Sequence, residues 1–126
     1  GSTVAAVLWH QGESDVPLIS ASEYQQHLDA LFDDLRARYG KDTPIILGGM
    51  VPEEMERSGK DYSPIDAVHR DTPNRIPQTA FVPGNRDMFN SDIDRHYNAV
   101  GIRAMGQDMW LAYQRIATDA LAEYRR

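Results

Sequence analysis

The chain has 126 residues, 41% of them hydrophobic and 25% charged, which is the composition of one ordinary globular domain with a modest core. A net charge of −6 argues against a nucleic-acid partner, and no apolar run approaches the roughly 20 residues of a membrane span. With no cysteine, disulfides and thiolate metal sites are excluded.

Gly1-Ser2 resembles the remnant of a cloning junction, and Thr3-Val4 then enters a strand at once. Val4-Ala5-Ala6-Val7-Leu8 is apolar on both faces, as a central strand of a parallel sheet would be. Directly behind it comes Trp9-His10-Gln11-Gly12-Glu13-Ser14-Asp15. Ligand chemistry in open α/β sheets collects just past the carboxyl ends of the strands, so this polar cluster stands where a site would be.

Val16 to Ala21 reads as loop. Ser22 is a suitable N-cap, with Gln25 completing a capping box. Tyr24, Leu28, Leu31, Phe32, Leu35 and Tyr39 recur at helical spacing and Gly40 closes the segment, predicting a helix over about 23–39. Pro44 to Met50 reads as a second two-sided apolar strand, ending in Gly48 and Gly49, which permit tight turning. Val51 to Tyr62 is polar, with a Gly59-Lys60-Asp61 turn signal. Ser63-Pro64 opens a short helix over about 64–72 as N-cap and N1 proline.

Thr79 to Val82 is a third strand, followed by a polar loop over 85–97. Asn98 can cap a last helix whose apolar stripe is Ile102, Met105, Met109, Ala112, Tyr113, Ile116 and Ala120, running to about residue 123. His27 and His69 fall on helices and read as surface residues. The order β-α-β-α-β-α predicts an α/β fold, a three-layer parallel sheet with helices on both faces. Three strands are few against the usual five or six, so the expectation is a partial sheet forming a single domain over 1–126. An open sheet edge is also a template for pairing with a second copy.

Two polar clusters follow strands: His10 to Asp15, and Asp92-Ile93-Asp94-Arg95-His96 before the last helix. Loops at one end of a parallel sheet can converge. A histidine beside an aspartate matches the base and its orienting carboxylate in acyl transfer. Gln11 offers a side-chain amide, and Gly12 a backbone N–H, to a developing oxyanion. Glu13 can hold neighbouring N–H groups or orient a site residue. His10 reads as a satisfied near-core histidine, and Trp9 as packing beneath the site. Ser14 lacks a strained Gly-x-Ser-x-Gly setting, and no His-Glu-x-x-His pattern points to a metal. No cofactor is expected.

Trp9 to Asp15 resembles the Trp-His-Gln-Gly-Glu block of the SGNH hydrolases, in the branch of sialate O-acetylesterases and acetylxylan-type carbohydrate esterases. His96-Tyr97-Asn98, with Gly101, Met105 and Gly106, resembles the same branch's C-terminal block. The resemblance implies a flavodoxin-like sheet of about five strands. It also implies a Ser-His-Asp site that removes acetyl groups from sugars. On that resemblance His96 is the base and Gln11 contributes to the oxyanion hole, with Gly12, Glu13 and His10 in support.

Two departures accompany it. The family's serine block, of the Gly-Gln-Ser-Asn type, is not in the sequence, nor are its first two strands; the chain by itself is expected to hydrolyse little ester. The family's aspartate usually stands three residues before the histidine, where this chain has Ile93, leaving Asp94 and Asp92 as alternatives. A non-catalytic binding module on the same scaffold is the competing reading.

Overall fold

The computed structural model describes residues 3–16, 18–57, 61–90 and 96–124. In chain order it contains β1 (Val7–Trp9), α1 (Ala21–Tyr39), β2 (Ile45–Gly48), α2 (Pro52–Arg57), α3 (Ser63–Arg75), β3 (Thr79–Val82) and α4 (Ala99–Tyr124). The strands are parallel in the order β1-β2-β3, with Val7 opposite Ile45 and Ile45 opposite Thr79. Side chains alternate across a strand, and the two faces of β2 go to different helices. Ile45 and Leu47 join Tyr24, Leu28 and Phe32 of α1 and Ile65 and Val68 of α3. Ile46 joins Val82 and Met105, Met109 and Ala112 of α4. Helices therefore cover both faces, as the three-layer α/β expectation required.

Position within the sheet differs from the sequence reading. The central strand is β2, whose Ile45, Ile46 and Leu47 are fully buried, and β1 lies at an edge of the described sheet. The strand starts at Val7, and Val4 and Leu8 are exposed. Two-sided apolarity is shared by both segments, so hydropathy alone could not rank them. Near Leu8, Trp110 and Tyr113 of α4 stack with ring centroids 5.5 Å apart.

The helix ends also shift. The α1 cap is Ser20, whose Oγ accepts from the Glu23 backbone N–H at 3.2 Å. Ser20-x-x-Glu23 is a capping box two residues before the one expected at Ser22. Gly40, at φ +125°, closes the helix with its N–H on Arg36 O. The polar stretch after β2 contains the short α2, which its Pro-Glu-Glu start favours at a helix N-terminus; of the expected turn, Gly59 and Lys60 lie outside the described residues.

In α3, Ser63 is inside the helix, and its N–H donates to Asp61 Oδ1 at 3.1 Å. This helix runs past the predicted stop at Thr72 and includes Pro73. Its last turn survives because Arg75 ties it down, donating to Val68 O and to the Asp71 and Asp29 carboxylates. Asn98 caps α4 as expected, its Oδ1 accepting from Val100 and Gly101 N–H, both at 2.9 Å. Ile102, assigned to the apolar stripe, is exposed; Gly101 is the residue that seats this turn, against Met88 and Tyr97.

Gly49 sits where β2 crosses the loop after β3. A Cβ there would lie 2.8 Å from the Gly84 backbone N and 3.1 Å from the Phe81 ring. Neither backbone can yield without breaking the Gly49 N–H to Val82 O bond at 2.8 Å. Gly49→Ala is expected to destabilise by about 2–3 kcal/mol through overpacking, read as a lower urea midpoint at unchanged slope. Asn98→Ala is expected to cost about 1 kcal/mol by loss of the cap. Wild-type midpoints in both variants would contradict this account.

Candidate active site

The first cluster begins where β1 ends. Gly12 has φ +129°, and a Cβ there would lie 2.9 Å from Met50 Cε and 3.1 Å from the Tyr24 hydroxyl, so only glycine fits. Its carbonyl accepts from Asp15 and Val16 N–H, turning the chain back at once. That turn brings His10, Gln11, Glu13 and Asp15 into one small region.

His10 Nδ1–H donates to Gly48 O at 3.3 Å, tying the end of β1 to the end of β2. On the other side of the ring, Nε2 lies 3.5 Å from Glu13 Oε1. His10 is thus partly buried and bonded, as the sequence suggested, with Glu13 as its neighbour. Gln11 Nε2 donates to Asp15 Oδ2 at 2.6 Å. Tyr24, rising from α1, places its hydroxyl 3.3 Å from both Gln11 O and Gln11 Oε1. Trp9 packs edge-on against Phe32, with centroids 5.8 Å apart, beneath this group. A cleft of about 360 Å³ opens beside it, lined by Trp9, Gln11, Asp15, Ile19, Tyr24 and Leu28 among others. His96 does not line it.

The second cluster is anchored by its backbone. Phe89 and Tyr97 form an antiparallel bridge, flanked by Asn90 N–H to His96 O at 3.1 Å and Asn98 N–H to Met88 O at 2.8 Å. The Tyr97 hydroxyl donates toward Gly49 O and Met50 O, at 3.1 and 3.0 Å. Burial, with Asp66, Glu53 and Glu13 nearby, raises the Tyr97 pKa, so the phenol keeps the proton these bonds need. His96 precedes this anchor and is exposed. The two clusters meet through His10 and Tyr97, whose ring centroids are 5.6 Å apart. Asp92 and Asp94 lie outside the described residues.

His69 corrects the sequence reading. It was expected on the surface and is fully buried, with Nε2 2.8 Å from the Tyr24 hydroxyl. The signal was present: Ile65, Val68, His69 and Thr72 occupy positions i, i+3, i+4 and i+7, one face of a helix, and all four are buried. Asp66 is also buried, its Oδ1 accepting from Met50 N–H at 3.2 Å. Tyr24 was read as core and is core, but its hydroxyl also reaches the loop. Burial raises the Tyr24 pKa to about 12, with the Asp15 and Glu13 charges adding to the rise. Among the described residues, no group of three or more His, Asp or Glu is arranged to hold a metal ion.

The arrangement is a parallel α/β sheet with a polar site built at its strand ends, the layout of many hydrolytic enzymes. The model of the family described as carbohydrate esterase, sialic acid-specific acetylesterase, matches residues 1–115, and the chain belongs to that family. No curated protein and no solved structure matches it.

Burial pushes the His69 pKa down to about 4, with Asp66 opposing the drop and His10 adding to it. The unfolded chain takes up this proton near pH 6.5 and the folded chain only near pH 4. The stability tied to neutral His69 is therefore complete above about pH 6.5 and falls by about 3 kcal/mol as pH drops toward 4. Urea midpoints at about pH 7 and about pH 4.5 are expected to differ more in the wild type than in His69→Gln. Equal pH slopes in the two proteins would contradict this.

Proposed function

We propose that this chain supplies the oxyanion-binding and general-base parts of a serine-type esterase that removes acetyl groups from carbohydrates. The observation that carries the proposal is the convergence of its two family-like blocks, with His10 against Tyr97 at 5.6 Å, in a chain of a carbohydrate-esterase family. Family membership favours this reading over a non-catalytic module.

In this reading a serine hydroxyl attacks the acetyl carbonyl carbon while His96 takes its proton. Asp94 or Asp92 orients the imidazole and stabilises its charged form. The carbonyl oxygen, now negative, is held by the Gln11 side-chain amide and the Gly12 N–H. The bond to the sugar oxygen then breaks, and His96 returns the proton to that oxygen. Water, activated by the same histidine, releases acetate from the serine. His10 and Glu13 keep the loop in place: His10 holds the end of β2, and Glu13 backs His10.

The attacking serine belongs to a block of the Gly-Gln-Ser-Asn type, which residues 1–126 do not contain. Ser14 is exposed in the turn after Glu13 and has no elbow around it. The 126-residue chain is therefore expected to hydrolyse p-nitrophenyl acetate no faster than its His96→Ala variant.

In a chain extended at its amino end by the family's serine block, acetyl release from an O-acetylated sugar is expected. There His96→Ala should lower kcat about a thousand-fold or more, and Gln11→Ala about a hundred-fold. Acetyl release by the 126-residue chain that disappears in His96→Ala would show that the nucleophile lies within it. Full activity of His96→Ala in the extended chain would sink the assignment of the base.

A further inference from the structure

Three hydrogen bonds connect a fully buried histidine to the loop at the candidate site. Asp15 and Gln11 share the first, Gln11 and Tyr24 the second, Tyr24 and His69 the third. The direction of each follows from what the end groups can do. A carboxylate only accepts, so the Asp15 contact at 2.6 Å requires the nitrogen of the Gln11 amide to face it. The amide oxygen is thereby turned to Tyr24. Both Gln11 atoms near the phenol, Oε1 and the backbone O, are acceptors at 3.3 Å, so Tyr24 donates to them. The phenol oxygen is then left to accept, and His69 Nε2 must carry the hydrogen it receives at 2.8 Å.

The remaining ring nitrogen tests the internal logic. Among the described residues, His69 Nδ1 is buried without a hydrogen-bond partner. With the proton on Nε2, what goes unpaired is one lone pair. With the proton on Nδ1, an N–H donor would be stranded in the core, and Gln11's two oxygens would face a phenol with no hydrogen between them. The first arrangement strands less.

We propose that Asp15, Tyr24 and His69 are positioning residues that fix the polarity of the Gln11 side chain. Asp15 engages one of the two Nε2 hydrogens, and Tyr24, backed by His69, holds Oε1 inward. The second Nε2 hydrogen is left to be offered to a ligand oxygen. Gln11 cannot flip and present its carbonyl to that oxygen, which would repel a developing negative charge. A free glutamine has no such bias, because its two ends differ little in shape. The proposal rests on the reading that Gln11 faces the oxyanion. Its physical content, a single polarity along the chain of bonds, is measured without any ester.

The experiment is nitrogen-detected NMR of the 126-residue protein with labelled histidine, at about pH 7, where His69 is neutral. His69 is expected to show a protonated Nε2 and a bare Nδ1 as a single tautomer. A protonated Nδ1 in the wild type overturns the proposal. Asp15→Asn replaces a group that can only accept with one that can also donate, so Gln11 is free to turn. In that variant, labelled at glutamine as well, the Gln11 side-chain amide is expected to show altered or doubled Nε2H2 signals, while His69 keeps Nε2–H because the Gln11 backbone O still takes the Tyr24 proton. One unchanged set of Gln11 side-chain amide signals in folded Asp15→Asn also overturns it, because an Asp15 that merely braces the loop would leave the amide orientation as it is. The wild-type measurement stands if the variant does not fold. The outcome is independent of the Gln11→Ala kinetics, so a failed oxyanion assignment and a failed polarity assignment are told apart.

Discussion

The carboxyl end of the central strand, Gly48-Gly49-Met50, is where the layers and the site loops are joined. Gly48 O accepts from His10, Gly49 N–H bonds to Val82 O, Met50 N–H bonds to Asp66, and Gly49 O and Met50 O receive the Tyr97 hydroxyl. Four segments distant in sequence are fastened to three consecutive residues. The two glycines make this possible, because the chains approach too closely for a side chain. At Gly48 a Cβ would lie 2.7 Å from both Met105 Sδ and Met109 Cε. A strand leaving the sheet loses its ladder partners, and its orphaned backbone groups must be bonded elsewhere. Here they are bonded to the side chains and loops that surround the site.

The buried polar groups follow from this anchoring. Asp66 is held in a nearly closed position by a backbone N–H on one oxygen and Arg70 on the other, at 3.2 and 3.1 Å. His69, one turn of helix further along α3 than Ile65, is held neutral by burial and bonded to Tyr24. The face of α3 that packs on the sheet therefore carries a carboxylate and an imidazole alongside Ile65 and Val68. A core optimised for packing alone would place apolar groups at these positions. The polar residues cost desolvation, and in return they give the loop after β1 one arrangement rather than several.

Much of this was legible from residue order. The parallel α/β architecture followed from short two-sided apolar runs alternating with amphipathic segments, and the Asn98 cap from its place before the last stripe. The Trp9-to-Asp15 block announced itself because seven chemically varied residues directly follow an apolar run. Two helix ends were misread. His69 was read as a surface residue on a helix expected to end at Thr72. Arg75, reaching Asp29 on α1, holds that turn, and the contact spans 46 residues of chain. The cap expected at Ser22 falls at Ser20, because Ser20-x-x-Glu23 offers the same pattern as Ser22-x-x-Gln25 two residues earlier.

The sequence by itself determined the kinds of groups available and their local spacing. It placed Gln11, Gly12, Glu13 and Asp15 within one turn of a strand end, and His96 just ahead of a capped helix. These are short-range properties, set by backbone geometry and side-chain chemistry over a few residues. Only the tertiary structure decided that β2 lies between β1 and β3 in the described sheet, that His10 meets Tyr97, and that His69 lies under the loop with Tyr24 between them. Each of these depends on contacts between residues roughly 40 to 90 positions apart. Such contacts arise when helices close over both faces of the sheet. Local hydropathy cannot encode them, because the same apolar pattern fits either face and either strand.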